Sequence, residues 1–280
     1  MSVLAAWLVA VGAGDLARAL ARGPERDGRP WGIGVGLGVL VATAALAGLV
    51  TPADLALVAL AAGGLAGWVL TSQHALAAVR GELTALAVLA GTGVLLVLLS
   101  GWASPAGGLL THWLAWTGLT GADPPVGRLL LVTGLLLVQT ATGNAVVRLV
   151  LTRMGTLRPE DGRAQASDRL RGGRLLGAME RVVILGLGLA GEVTAASLVI
   201  AAKGLLRFPE LQGARAWAAA PVWRHTRSGS AGRVARRAAA LRVRREEGRP
   251  GIDEITEYFL VGSFVSWLLA LASLALSRLG

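Results

Sequence analysis

The chain has 280 residues, 54% hydrophobic and 16% charged, with a formal net charge of +10 at pH 7 and no cysteine. A soluble domain carries about 25% charged residues, so this composition, with a mean hydropathy of +0.62, excludes an ordinary soluble protein and points to a bilayer. Lack of cysteine excludes disulfides, thiolate metal sites and thiol nucleophiles, and His74, His112 and His225 are too scattered to be a ligand set.

About 20 apolar residues at about 1.5 Å rise each cross a hydrocarbon core of about 30 Å. Seven apolar segments fall at about 2–20, 32–50, 53–71, 83–100, 126–150, 182–202 and 256–277. The first has no basic residue before its apolar run and no small-residue cleavage site, so it reads as a membrane helix and not a cleaved signal. Segments two and three are joined by "LVTPAD", where Pro52 and Asp54 suit a helix start. "GIGVGLG" (32–38) and "GGLAG" (63–67) carry Gly-x-x-x-Gly spacing, which lets membrane helices approach closely.

Basic residues set the orientation, because cytoplasmic loops are enriched in them. The loop 15–31 has four arginines including Arg18, 72–82 has Arg80, and 148–181 has eight, whereas 51–52 and 101–125 have none. The expected topology puts the N-terminus outside and the basic loops in the cytoplasm of a plasma (inner) membrane protein. In 101–125, Trp102, Trp113 and Trp116 predict a short interfacial helix on the outer face.

The rule then meets a conflict. Segment 203–252 has twelve basic residues, yet a single crossing at 182–202 would put it opposite 148–181. The centre of that crossing reads "GLGLAGEVTAAS", and each glycine weakens a helix by about 1 kcal/mol. Glu192 at mid-membrane costs at least about 2.5 kcal/mol. A re-entrant hairpin turning at Gly191–Glu192 resolves the conflict. The expected fold class is therefore all-α: a polytopic transmembrane bundle of six spanning helices plus a re-entrant hairpin, with seven spanning helices as the alternative. Its regions are a five-helix membrane part (1–150), a cytoplasmic loop with the hairpin (151–208), a basic insertion (209–252) and a final membrane helix (253–280).

Ionisable residues cluster around the hairpin: Glu180, Arg181, Glu192, Lys203 (the only lysine), Arg207 and then Glu257 beside Tyr258. Intramembrane ionisable groups usually face the bundle interior and mark functional sites. Glu192 leads this set, because Glu180, Arg181, Lys203 and Arg207 can snorkel to the cytoplasmic interface. Gln139, Thr140, Thr142 and Asn144 form a polar stripe that could line the same cavity or bond between helices. In the insertion, Arg233, Arg237 and Arg244 flank an apolar face of Val234, Ala238 and Leu241, a basic amphipathic helix suited to anionic lipid headgroups. Nucleic acid ranks well below lipid as a partner, and a protein partner fits the same basic face. No Walker loop, His–Glu metal motif or Gly-x-Ser-x-Gly elbow occurs, so no catalytic residue, cofactor or metal is expected.

"GGRLLGAMERVVILGLGLAGEVTAASLVIAAKGLLRF" and "TEYFLVGSFVSWLLAL" resemble the C-terminal part of a family of small bacterial polytopic membrane proteins of unknown function. The matching positions include Gly173, Gly177, Glu180, Arg181, Glu192, Lys203, Arg207, Glu257, Tyr258 and Ser266. The resemblance implies that the charged cluster is a recurring pattern, and it implies no activity. The basic insertion stands where that family has a short linker. Three functions are expected from the residues: small-solute or ion handling at a broken helix, a scaffold or accessory subunit with a basic cytoplasmic face, and a membrane-embedded lipid-modifying enzyme.

Overall fold

A computed structural model describes residues 1–21, 28–78, 80–118, 126–155, 173–205 and 252–279, without the side chains of 173–174 and 252–259. All described secondary structure is helical: α1 (Ser2–Ala21), α2 (Arg29–Leu46), α3 (Pro52–Ala78), α4 (Glu82–Leu98), a 3-10 turn at Ser100–Trp102, α5 (Gly108–Thr117), α6 (Val126–Gln139), α7 (Ala141–Arg153), α8 (Gly173–Leu189), α9 (Val193–Leu205) and α10 (Ile252–Ser277). Four helices, α1, α2, α3 and α10, are long and apolar enough to cross a membrane, or five spans if bent α6–α7 is one. Helix α4, expected as a span, has 17 residues.

Helix α1 is the axis of the bundle. Its apolar stretch is 72% buried inside the protein, against 22% for α2 and α10, and it packs on α2, α3, α6 and α7. Small residues make that possible. A Cβ on Gly14 would lie 2.6 Å from Gly32 O and 3.2 Å from Gly36 Cα, so the expected close approach of "GIGVGLG" is to α1. Gly134 brings α6 equally near, since a Cβ there would meet Leu8 Cβ at 2.7 Å. In "GGLAG" the contacts are made by Gly64, against Thr92, and Gly67, against Val88, while Gly63 faces open space.

The α2–α3 turn is built as its residues suggest. Thr51 and Asp54 bond reciprocally at the start of α3: Asp54 Oδ2 accepts from Thr51 N (3.2 Å) and Oγ1 (2.7 Å), and Thr51 Oγ1 accepts from Asp54 N (3.2 Å). This capping box satisfies donors that a helix start leaves open. Asp54 Oδ1 also accepts Ser104 N at 2.8 Å, tying the turn to the segment before α5. A short helix forms in 101–125 as expected, α5, and Trp113 and Trp116 on it are exposed.

Two expectations are corrected. Segment 126–150 was expected to form one helix; instead α6 and α7 meet at Thr140 with a 47° bend. Arg18 was expected in a loop, but α1 continues past it and buries it. The turn at Gly191, by contrast, falls where the glycines and Glu192 predict. Gly191 has φ +84°, Glu192 N donates to Leu187 O at 2.8 Å and Gly191 N to Gly188 O at 3.2 Å. This is the Schellman arrangement that ends a helix on glycine. On one straight helix Glu180 and Lys203 would lie about 35 Å apart, yet their side chains form an ion pair. The chain therefore reverses between α8 and α9. Ile184 and Leu187 on one arm and Ala196, Val199 and Ile200 on the other pack together with Trp267 and Ala270 of α10.

Candidate functional site

The α6–α7 break gathers buried polar residues inside the bundle: Gln139, Thr142 and Arg181 are all withdrawn from solvent. A helix end leaves carbonyls without intrahelical partners and concentrates negative potential there. Local bonds answer this only in part: Thr140 N and Oγ1 both donate to Leu137 O, at 3.0 and 2.5 Å. The rest comes from Arg181, in the middle of α8. Its Nε and Nη2 both donate to Gln139 O, at 2.9 and 2.8 Å. Nη2 also donates to Asn144 Oδ1 at 2.6 Å and to Thr140 O at 3.4 Å, and Nη1 donates to Ser266 Oγ of α10 at 3.1 Å.

One guanidinium thus joins α6, α7, α8 and α10, and it is only 2% exposed. Gly143 makes room for it, because a Cβ there would lie 2.8 Å from Arg181 Nε and 3.0 Å from Cζ. Gln139 extends the network, Nε2 donating to Ser273 Oγ at 2.6 Å.

Among the described residues no carboxylate ion-pairs with Arg181: amide, hydroxyl and carbonyl oxygens hold its guanidinium, and the neighbouring Glu180, itself paired with Lys203, adds an attractive charge. Among the described residues Nη1 of Arg181 has a single acceptor, Ser266 Oγ, for its two N–H groups, and the buried Gln139 Oε1 and Thr142 Oγ1 have none. Buried polar groups are ordinarily satisfied, so these atoms mark a place where a polar guest would gain bonds.

A second buried arginine is arranged differently. Arg18 pairs with Asp15 at 2.7 Å and donates to Ser72 Oγ at 2.9 Å, while Trp68 Nε1 donates to Asp15 Oδ2 at 2.9 Å. This cluster pins α1 to α3 and carries its own counter-charge.

The expected site residues therefore divide. Gln139, Asn144 and Arg181 come together at the break, and Ser266 joins them. Arg181 does not snorkel to an interface; it is fully buried. Glu180 and Lys203 form a separate pair joining the hairpin arms, with side chains 15% and 17% exposed. Glu192, expected to lead the polar site, is exposed at the hairpin turn and does not join the Arg181 network. Arg207, Arg233, Arg237 and Arg244 lie outside the described residues, as do the side chains of Glu257 and Tyr258. Ser273 and Gly143 were not anticipated. Ser273 is seven residues, two helical turns, after Ser266, and that spacing on an apolar helix is the signal that could have found it. Among the described residues no group of His, Asp or Glu side chains could hold a metal ion.

No family model, no curated protein and no solved structure matches this chain.

Proposed function

We propose that this chain is a multi-pass protein of the plasma membrane that handles a small anionic solute at the α6–α7 break. The carrying observation is the buried guanidinium of Arg181, 2% exposed and, among the described residues, hydrogen-bonded only to neutral acceptors. Broken helices near the bilayer midplane are a common way for transporters to make solute sites, and irregular backbone at that depth persists only where protein or a cavity surrounds it. In this reading α1, α2, α3, α4, the α6–α7 pair and α10 span, with α4 just long enough at about 26 Å. The α8–α9 hairpin re-enters from the cytoplasmic side. That arrangement puts the basic segments before α8 and after α9 on the same face, in keeping with the charge rule.

A second reading has its own observation. Four of the five N–H groups of Arg181 are occupied by the protein's own acceptors, as a purely structural clamp of the broken span requires. The two readings part on anion dependence. Purified protein in detergent is heated in chloride, nitrate or acetate against gluconate at equal ionic strength. The solute reading expects at least one small anion to raise the unfolding temperature, and Arg181→Gln to abolish that rise. A clamp predicts a lower unfolding temperature for the variant and no anion dependence in either protein; that outcome would overturn the proposal.

A further inference from the structure

A cleft of about 380 Å³ opens where the start of α2, the end of α3 and the start of α4 meet, remote in sequence from the Arg181 network. It is lined by Arg29, Leu70, Thr71, His74, Arg80, Gly81 and Thr84, with no carboxylate among them. Two guanidiniums, an imidazole and two hydroxyls are the groups that hold a phosphate oxyanion. Arg29 is held at the wall by Gln73, whose Oε1 accepts from Nε at 3.0 Å. The amino end of α4 meets the cleft at its cap, Gly81, at φ +87°, and the buried Glu82 in the first turn offsets the positive end of that helix, so the cations of the cleft are its side chains.

The apolar surroundings choose between sources of phosphate. Leu70 lines the cleft and is 48% exposed. An exposed leucine among basic groups, on helices long and apolar enough to cross a membrane, suits an acyl chain beneath an anionic headgroup.

We infer that this cleft binds the phosphodiester of an anionic phospholipid, with Arg29, Arg80 and His74 contacting the headgroup. The site is built from α2, α3 and α4 of the helical bundle, and any lipid attraction of the basic segment 209–252 is unchanged in every variant and cancels between them.

The test is lipid retention by the full chain. Delipidated protein takes up phosphatidylglycerol or phosphatidylcholine in mixed micelles, and bound lipid is counted by native mass spectrometry. Unaltered protein and Arg128→Gln, a change to an exposed arginine on another helix, should retain phosphatidylglycerol over phosphatidylcholine. R29Q/R80Q should weaken that retention about fivefold for each arginine removed. R80Q alone, at an exposed position, should show the single fivefold loss and keeps the test decisive if the double variant misfolds. Equal retention by R80Q and R128Q, or no preference over phosphatidylcholine, overturns the inference. Displacement of phosphatidylglycerol by inorganic phosphate at equal concentration would overturn the lipid as occupant.

Discussion

Arg18 and Arg181 are both withdrawn from solvent, at 4% and 2% exposure, and both hold helices together. Their solutions to the cost of a buried charge differ. Arg18 sits in a cluster with Asp15, Ser72 and Trp68 whose formal charges cancel. Arg181 leans on the negative end of α6 and on neutral oxygens, and among the described residues no carboxylate pairs with it. A guanidinium that already has an ion-pair partner gains less from an anionic guest than one held by neutral acceptors, and for that reason the function is proposed at the break and not at the α1–α3 contact.

The largest expected effect tests the balanced side. Asp15→Asn removes the carboxylate that pairs with Arg18 at 2.7 Å and should cost about 3–5 kcal/mol of unfolding free energy in mixed micelles. Adding Arg18→Gln should recover much of it. Failure of the second change to recover stability would mean that Arg18 contributes packing and not charge. Next comes the fit around Arg181. Gly143→Ala puts a Cβ 2.8 Å from Nε, whereas Gly177→Ala puts one 3.8 Å from Nη1. The first should cost about 1–3 kcal/mol and the second close to nothing; a reversed order would show that the guanidinium can shift away from α7 freely.

The smallest effect lies in the hairpin. A double-mutant cycle over Glu180→Gln and Lys203→Met should give a coupling of no more than about 1 kcal/mol, because both side chains keep some contact with solvent. Lys203→Arg should still be worse tolerated than Arg236→Lys. The compact ammonium meets one carboxylate across the hairpin, and a planar five-donor fork needs more room. Equal tolerance at the two positions would remove any special fit at Lys203.

Much of the fold was legible because its signals are local or additive. Apolar run length gives the helices, Thr51–Asp54 gives the α3 start, and clustered glycines before Glu192 give the reversal between α8 and α9. The basic segments on both sides of that reversal independently demanded it. The site was legible only in its membership. Gln139, Asn144 and Arg181 carry polarity that an apolar segment should not have, but nothing near Glu192 says that its backbone turn will leave it exposed and outside the cluster.

By itself, then, the order of residues determined the all-helical class, the helices long and apolar enough to cross a membrane, the positions of most other helices and the reversal between α8 and α9, since hydropathy, caps and glycine torsions act within a few residues. The break at Thr140 was decided by tertiary structure. No proline or glycine stands at the bend to interrupt segment 126–150 there; the nearest glycine, Gly143, serves to admit the guanidinium. The carbonyls freed at that bend are satisfied by an arginine 42 residues further along the chain and secured by a serine on the last helix. A backbone can open in an apolar interior only where a donor arrives from elsewhere, and that arrival is a property of the packed bundle.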